Sequence, residues 1–152
     1  PPGSIIETSP AGAALARTLG ERLAAQGGVA IIIDYGYEGP AVGDTLQAVK
    51  AHASANPFEE PGERDITAHV DFATLAEAAR AGGARTHGPV AQGDWLARLG
   101  IGTRAQALSK QSGRGPEIAA ALVRLTAPAQ MGTLFNALAL TAPDWPDPEG
   151  FQ

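Results

Sequence analysis

No cysteine occurs in the 152 residues, which excludes disulfides, thiolate metal sites and a cysteine nucleophile. Positive charge is scarce, with 11 Lys and Arg against 16 Asp and Glu and a net charge of −5. No basic run is present that would track a phosphate backbone, so nucleic acid is not an expected partner. Long apolar runs are missing too. The longest strongly apolar stretch, residues 29–33, is far short of the roughly 20 residues that cross a bilayer. The opening residues also lack a charged-then-apolar signal pattern. These absences predict a soluble intracellular protein with no membrane span. The phosphate-cradling motifs GxGxxG, GxGxG and GxxxxGK[ST] do not occur, and Ser9 and Ser109 lie in no GxSxG elbow, so hydrolase chemistry has no support.

What is present is a regular alternation of strand and helix signals. The 19 glycines and 12 prolines punctuate apolar segments and form no low-complexity tract. Ser9 is a natural N-cap, and Pro10 suits the first helical position. Leu15, Leu19 and Leu23 then recur on one face, and Gly27-Gly28 supplies the exit. Residues 29–33 run apolar and β-branched without alternation, the pattern of a central parallel strand covered on both faces. From Glu38 to Thr67 periodicity disappears, apart from one expected turn of helix around residues 45–51, and a loop of that length is usually functional or mobile. Asp71 can cap a helix carrying Phe72, Leu75, Ala76 and Ala79 on one face, and Gly82-Gly83 closes it before a strand over residues 85–92. Short helices follow around Trp95 to Leu99, from a Thr103 cap to Leu108, and from Pro116 onward. Residues 133–141 read as a last strand, and the tail from Pro143 as irregular. The order argues for one α/β domain over residues 1–142 with a largely parallel sheet. Such a domain normally opens with a strand and a Gly-rich turn. Both are missing, and the opening Pro1 without methionine fits a piece of a longer protein.

Five segments, IIIDYGYEG (31–39), GDTLQAVKAH (43–52), PGERDITAHVDF (61–72), QGDWLARLGI (92–101) and MGTLFNALAL (131–140), together resemble the MidA family, the mitochondrial complex I assembly methyltransferases and their bacterial relatives. The resemblance is collinear over nearly the whole chain. It implies the class I methyltransferase fold, a Rossmann-like seven-stranded sheet with a terminal antiparallel strand. Residues 29–33, 85–92 and 133–141 would be its fifth, sixth and seventh strands, with extra small helices. It implies S-adenosylmethionine as cofactor, bound mostly by an amino-terminal half that these residues do not include, so the isolated chain is expected to be inactive. It further implies a protein-arginine substrate on a partner protein, by analogy a respiratory-complex subunit. The location would be cytoplasmic for bacterial members and mitochondrial for eukaryotic ones. A non-catalytic assembly or binding module that keeps the fold is the alternative.

Methyl transfer to a guanidinium needs carboxylates that orient it and draw off its charge. Asp34 and Tyr35 follow the buried strand directly, where ligands gather in open α/β sheets. Glu7 ends an apolar run before a helix start, so it faces either the substrate or the positive helix end. His52, Asp65, His69 and Asp71 sit in or beside the long loop, which would emerge on the ligand side. These residues are the expected substrate contacts, each weighed against a capping or loop-holding role. The spacing of His52, His69 and Asp71 suits no known metal pattern, so no metal is expected. Tyr37 and Trp95 are candidates to contact a partner or ligand, weighed against the core packing usual for large aromatics, and Trp145 is a better candidate for an exposed contact.

Overall fold

The computed structural model describes residues 2–39 and 41–152. Its elements in chain order begin with α1 (Pro10–Gln26) and β1 (Val29–Tyr37), followed by three short strands, β2 (Gln47–Lys50), β3 (Ala53–Ala55) and β4 (Asp65–Thr67). Next come β5 (Val70–Asp71), α2 (Phe72–Ala81) and β6 (Arg85–Ala91). Three helices, α3 (Gln92–Arg98), α4 (Ile101–Ser112) and α5 (Gly115–Thr126), and a wide turn at Pro128–Gly132 lead into β7 (Phe135–Thr141).

The helix ends follow the local chemistry of the sequence. The Ser9 hydroxyl accepts the Gly12 N–H at 3.3 Å, and Gly27, at φ +77°, donates its N–H to the Leu23 carbonyl at 2.9 Å. Asp71 caps α2, accepting the Thr74 N–H at 3.1 Å. One boundary differs from expectation. α4 starts at Ile101, two residues before the expected Thr103 cap, because Gly100 takes the left-handed conformation (φ +81°) and turns the chain directly out of α3.

The main sheet has the order β5-β1-β7-β6. β1 and β7 pair antiparallel from Val29↔Thr141 to Tyr35↔Phe135, β6 pairs antiparallel with β7, and β5 joins β1 in parallel at Gly36↔Val70 and Tyr37↔Asp71. Three strands therefore share one direction, and the reversed last strand lies between two of them. It begins at Phe135, two residues later than expected.

α1 and α2 pack side by side on one face of the sheet. Their contact is built from small residues: Ala16 and Gly20 of α1 meet Ala76 and Ala79 of α2, with Leu23, Phe72, Leu138 and Leu140 completing the core. Phe72 is fully buried, and truncating such a side chain to Ala costs about 3–5 kcal/mol. The other face of β1 is open. Val29, Ile31 and Ile33 are 48%, 47% and 44% exposed, so the unalternating run 29–33 is covered on one face by the described residues, not on both as the sequence implied. α3 contacts β6 and β7, while α4 and α5 form a hairpin beside it in which α5 has no buried residue. Residues 143–152 form no helix or strand but are pinned down: Arg85 pairs with Asp147, Arg98 donates to the Gly150 carbonyl at 3.2 Å, and Phe151 packs on Trp95 at 5.7 Å. Trp95 is buried and Trp145 is about half exposed.

Residues 38–67 are the largest departure from expectation. They carry a three-stranded antiparallel sheet of order β3-β2-β4, and the expected turn of helix at 45–51 is instead β2 with the turn that leads to β3. Strands of three and four residues are too short to show periodicity, and the β2–β4 pairing is nonlocal, so no local signal announces it.

The helix contact yields a paired prediction. A Cβ on Gly20 would lie 2.3 Å from the Ala79 carbonyl oxygen, whereas Gly102 in α4 has nothing within 4 Å. Gly20→Ala should lower equilibrium stability in urea by about 1–3 kcal/mol, and Gly102→Ala should raise it by up to about 1 kcal/mol. Equal effects of the two would contradict the close approach of α1 and α2.

Candidate functional site

The carboxyl ends of β1 and β5 lie side by side, at Tyr37 and Asp71. A cavity of about 560 Å³ opens there, between the starts of α1 and α2. Its polar lining includes Glu7, Tyr37, His69 and Asp71, and its apolar walls include Ile6, Pro10, Val70 and Leu75.

Each carboxylate is held by one threonine through both its N–H and its O–H. Thr45 donates its N–H to Glu7 Oε1 at 3.0 Å and its hydroxyl to Glu7 Oε2. Thr74 donates its N–H to Asp71 Oδ1 at 3.1 Å and its hydroxyl to Oδ2 at 2.7 Å. The Thr45 hydroxyl also accepts the His69 N–H at 2.9 Å, so Glu7, Thr45 and His69 form one chain of hydrogen bonds. Gly43 adds a backbone bond to the Ile5 carbonyl at 3.0 Å. The residues before α1 are thereby laced to the start of the 38–67 excursion. The His69 ring is placed by two contacts. Gln47 Nε2 lies 3.3 Å from His69 Nε2, and Tyr35 meets the ring edge-on at 5.6 Å. Tyr35 in turn packs on Phe135 at 5.6 Å.

The electrostatics follow from these partners. The hydroxyl and then the N–H of Thr45 hold the Glu7 carboxyl below its usual range, with a smaller contribution from His69. Partial burial, then the nearby charges of Asp71 and Glu7, push the Tyr37 phenol above its usual value. The cavity is thus negative in character, and its tyrosine stays protonated as a donor.

The sequence-derived residues divide in two. Glu7, His69 and Asp71 are brought together around the cavity, and Tyr35 buttresses His69 from outside it. Asp34 is not among the lining residues: β1 runs on to Tyr37, so Asp34 lies within the strand opposite Asn136 instead of following it, and its carboxylate accepts the Tyr35 N–H at 2.8 Å. His52 sits at the β2–β3 turn, at φ +63°, away from the cavity lining. Asp65, exposed in β4, is also absent from the lining, so none of the three is placed to contact a ligand in this pocket. The helix-capping alternative for Glu7 is met by Ser9 instead. Tyr37, weighed as a ligand contact against a core role, lines the cavity from the end of β1. Thr45 is the residue that sequence reasoning does not reach, because it carries no distinctive chemistry by itself.

Thr45→Val removes both side-chain bonds of the clasp. The Glu7 pKa, read by NMR titration, should rise toward the ordinary carboxylate range. Because that pKa is depressed in the folded state, its stabilisation is present above the unfolded value and is lost as pH falls through the folded one. The stability gap between parent and variant should therefore be widest at neutral pH and narrow in acid to the part owed to the His69 N–H bond, which does not titrate. A gap independent of pH would contradict the clasp.

Comparison with known proteins places this geometry in context. The profile of a family described as S-adenosyl-L-methionine-dependent methyltransferases matches residues 1–90. The chain is 41% identical over 125 residues to the mitochondrial protein arginine methyltransferase NDUFAF7 homolog of Drosophila melanogaster, covering 80% of this chain and 28% of that protein. It is 34% identical over 139 residues to mitochondrial NDUFAF7 of Rattus norvegicus, covering 89% of this chain and 31% of that protein. A crystal structure from Burkholderia thailandensis bound to S-adenosyl-homocysteine superposes with a TM-score of 0.80 at 29% identity, over 95% of this chain and 37% of that one. The chain thus spans about three tenths of the length of the curated relatives it matches. It belongs to the S-adenosyl-L-methionine-dependent methyltransferase family.

Proposed function

We propose that this chain is the carboxyl-terminal part of an S-adenosylmethionine-dependent protein-arginine methyltransferase, and that its cavity receives the guanidinium of an arginine on a partner protein. The observation that carries the reading is the pair of carboxylates on one cavity, Glu7 from the segment before α1 and Asp71 from the end of β5, each fixed by one threonine. A guanidinium presents a planar fork of N–H donors that carboxylates match, and its methylene stem suits apolar walls. Charge decides between a cation and an anion. Each helix start contributes roughly +0.5, and the two carboxylates a full negative charge each, so the cavity remains net negative and favours a cation. The relatives named as arginine methyltransferases support the same substrate class.

The residues of this chain do not fit the cofactor itself. The β5–α2 and β6–α3 junctions are made without a glycine turn. Gly93, in the first turn of α3, is packed so closely that a Cβ would lie 2.5 Å from the Thr126 carbonyl oxygen. S-adenosylmethionine would therefore be held mostly by residues outside this chain, in the remaining seven tenths of length that the relatives have. The same additional polypeptide is available to cover Val29, Ile31 and Ile33. The family resemblance extends the partner to a subunit of a respiratory complex, met in the cytoplasm by a bacterial protein or in the mitochondrion by a eukaryotic one. Among the described residues no helix is long and apolar enough to cross a membrane.

In the full-length protein, Glu7→Gln and Asp71→Asn should each raise KM for an arginine-bearing peptide roughly tenfold or more. Asn retains the cap of α2, so folding is preserved in the second. Asp34→Asn should leave the kinetics near those of the parent. Arginine methylation insensitive to Glu7 and Asp71 would sink the pocket assignment, and S-adenosylmethionine binding without any transfer would favour the non-catalytic module.

A further inference from the structure

Residues 38–67 hold six acidic residues against two basic ones, and so carry −4 of the chain's net −5. Lys50 and Arg64 are already paired with Glu59 and Glu60. Among the described residues, the exposed carboxylates of Glu38, Glu63 and Asp65 have no hydrogen-bond or ion-pair partner. Large apolar side chains stand in the same region: Phe58 is 81% exposed, and Val42 and Ile66 are well exposed. The surface continues into the cavity, because Ala41 and His69, at either end of the excursion, line it. Ile6, on the cavity wall and 72% exposed, adjoins it through the bonds of Gly43 and Thr45 to the residues before α1.

An arginine seated in the cavity brings its flanking residues across this rim. We propose that the 38–67 excursion, with Ile6 at its base, is the docking platform for the polypeptide around the target arginine, and that it selects a basic segment with apolar residues. The proposal rests on the reading of the cavity as the guanidinium site. Charge complementarity at such a rim acts on encounter and partner choice, and it weakens with salt. Phe58, Val42 and Ile66 supply apolar area that a flexible segment can cover.

The test uses the full-length protein, S-adenosylmethionine and three probes: N-acetyl-arginine amide, a peptide with one central arginine flanked by lysines, and the same peptide flanked by glutamates. The lysine-flanked peptide should show a KM about tenfold below the glutamate-flanked one at low salt, a difference that shrinks as salt is added. The double variant Glu63→Lys/Asp65→Lys should abolish or reverse that preference while leaving kcat and KM for the small amide unchanged. A preference that is absent from the parent, or unchanged in the variant while the amide is still methylated, overturns the platform alone. Failure to methylate any arginine probe overturns the cavity reading and the platform with it. Phe58→Asp gives a separate check. If it lowers the unfolding midpoint of the peptide-free protein, the rest of the polypeptide covers the patch and the proposal fails.

Discussion

The antiparallel ladder between β1 and β7 is the constraint on which the rest of the structure depends. Seven residue pairs join the first strand of the chain to the last, and β7 is buried from Asn136 to Thr141. Until β7 is in place, β1 and β6 have no common neighbour, since they touch only through it. The ladder also sets which way β1 points, and with it the end at which Tyr37 and the cavity lie. On its core face Leu138 and Leu140 receive α1 and α2, whose small residues let the two helices approach closely and bring both helix starts to the same edge. Burying a side chain of that size contributes about 1.5–3 kcal/mol, so this layer contributes strongly to holding the sheet and helices together.

The site follows from connectivity. β1 and β5 are parallel neighbours, so the chain must leave the end of β1 and return to the other end of β5, and residues 38–69 make that return. The return could have been a plain crossover. Instead it folds as its own small sheet and is tied back through Thr45 to Glu7 and His69. One threonine thus fixes a carboxylate from the segment before α1 and the backbone of a histidine from the end of the excursion. Asp71 is fixed in the same manner by Thr74 within α2. Two carboxylates with fixed orientation and lone pairs to spare differ from two mobile acids at a surface, because no side-chain ordering remains to be supplied when a planar cation arrives.

Much of this was legible in the sequence. Ser9-Pro10, the leucines four apart and Gly27-Gly28 locate α1, and Asp71 with Gly82-Gly83 locates α2, because capping and left-handed exits are local chemistry. Five collinear segments placed the chain in its family and identified the strands that became β1, β6 and β7. Glu7, His69 and Asp71 were reachable as ligand-side residues because they follow strands or precede helices. The misses are nonlocal. Short strands paired across the excursion leave no period, the open face of β1 has the same residue pattern as a covered one, and Thr45 gains its role only from a residue 38 positions earlier. Asp34 and His52 have suitable chemistry in plausible segments, but Asp34 lies within β1, three residues before its end at the cavity, and His52 sits at a hairpin turn.

The position of a bound arginine side chain is the central structural question. A crystal structure of the full-length protein with S-adenosyl-homocysteine and an arginine-bearing peptide measures this directly. The guanidinium is predicted within hydrogen-bond distance of both the Glu7 and Asp71 carboxylates, with its stem against Ile6, Val70 and Leu75. A guanidinium bound elsewhere, with this cavity filled by other parts of the protein, would contradict the account.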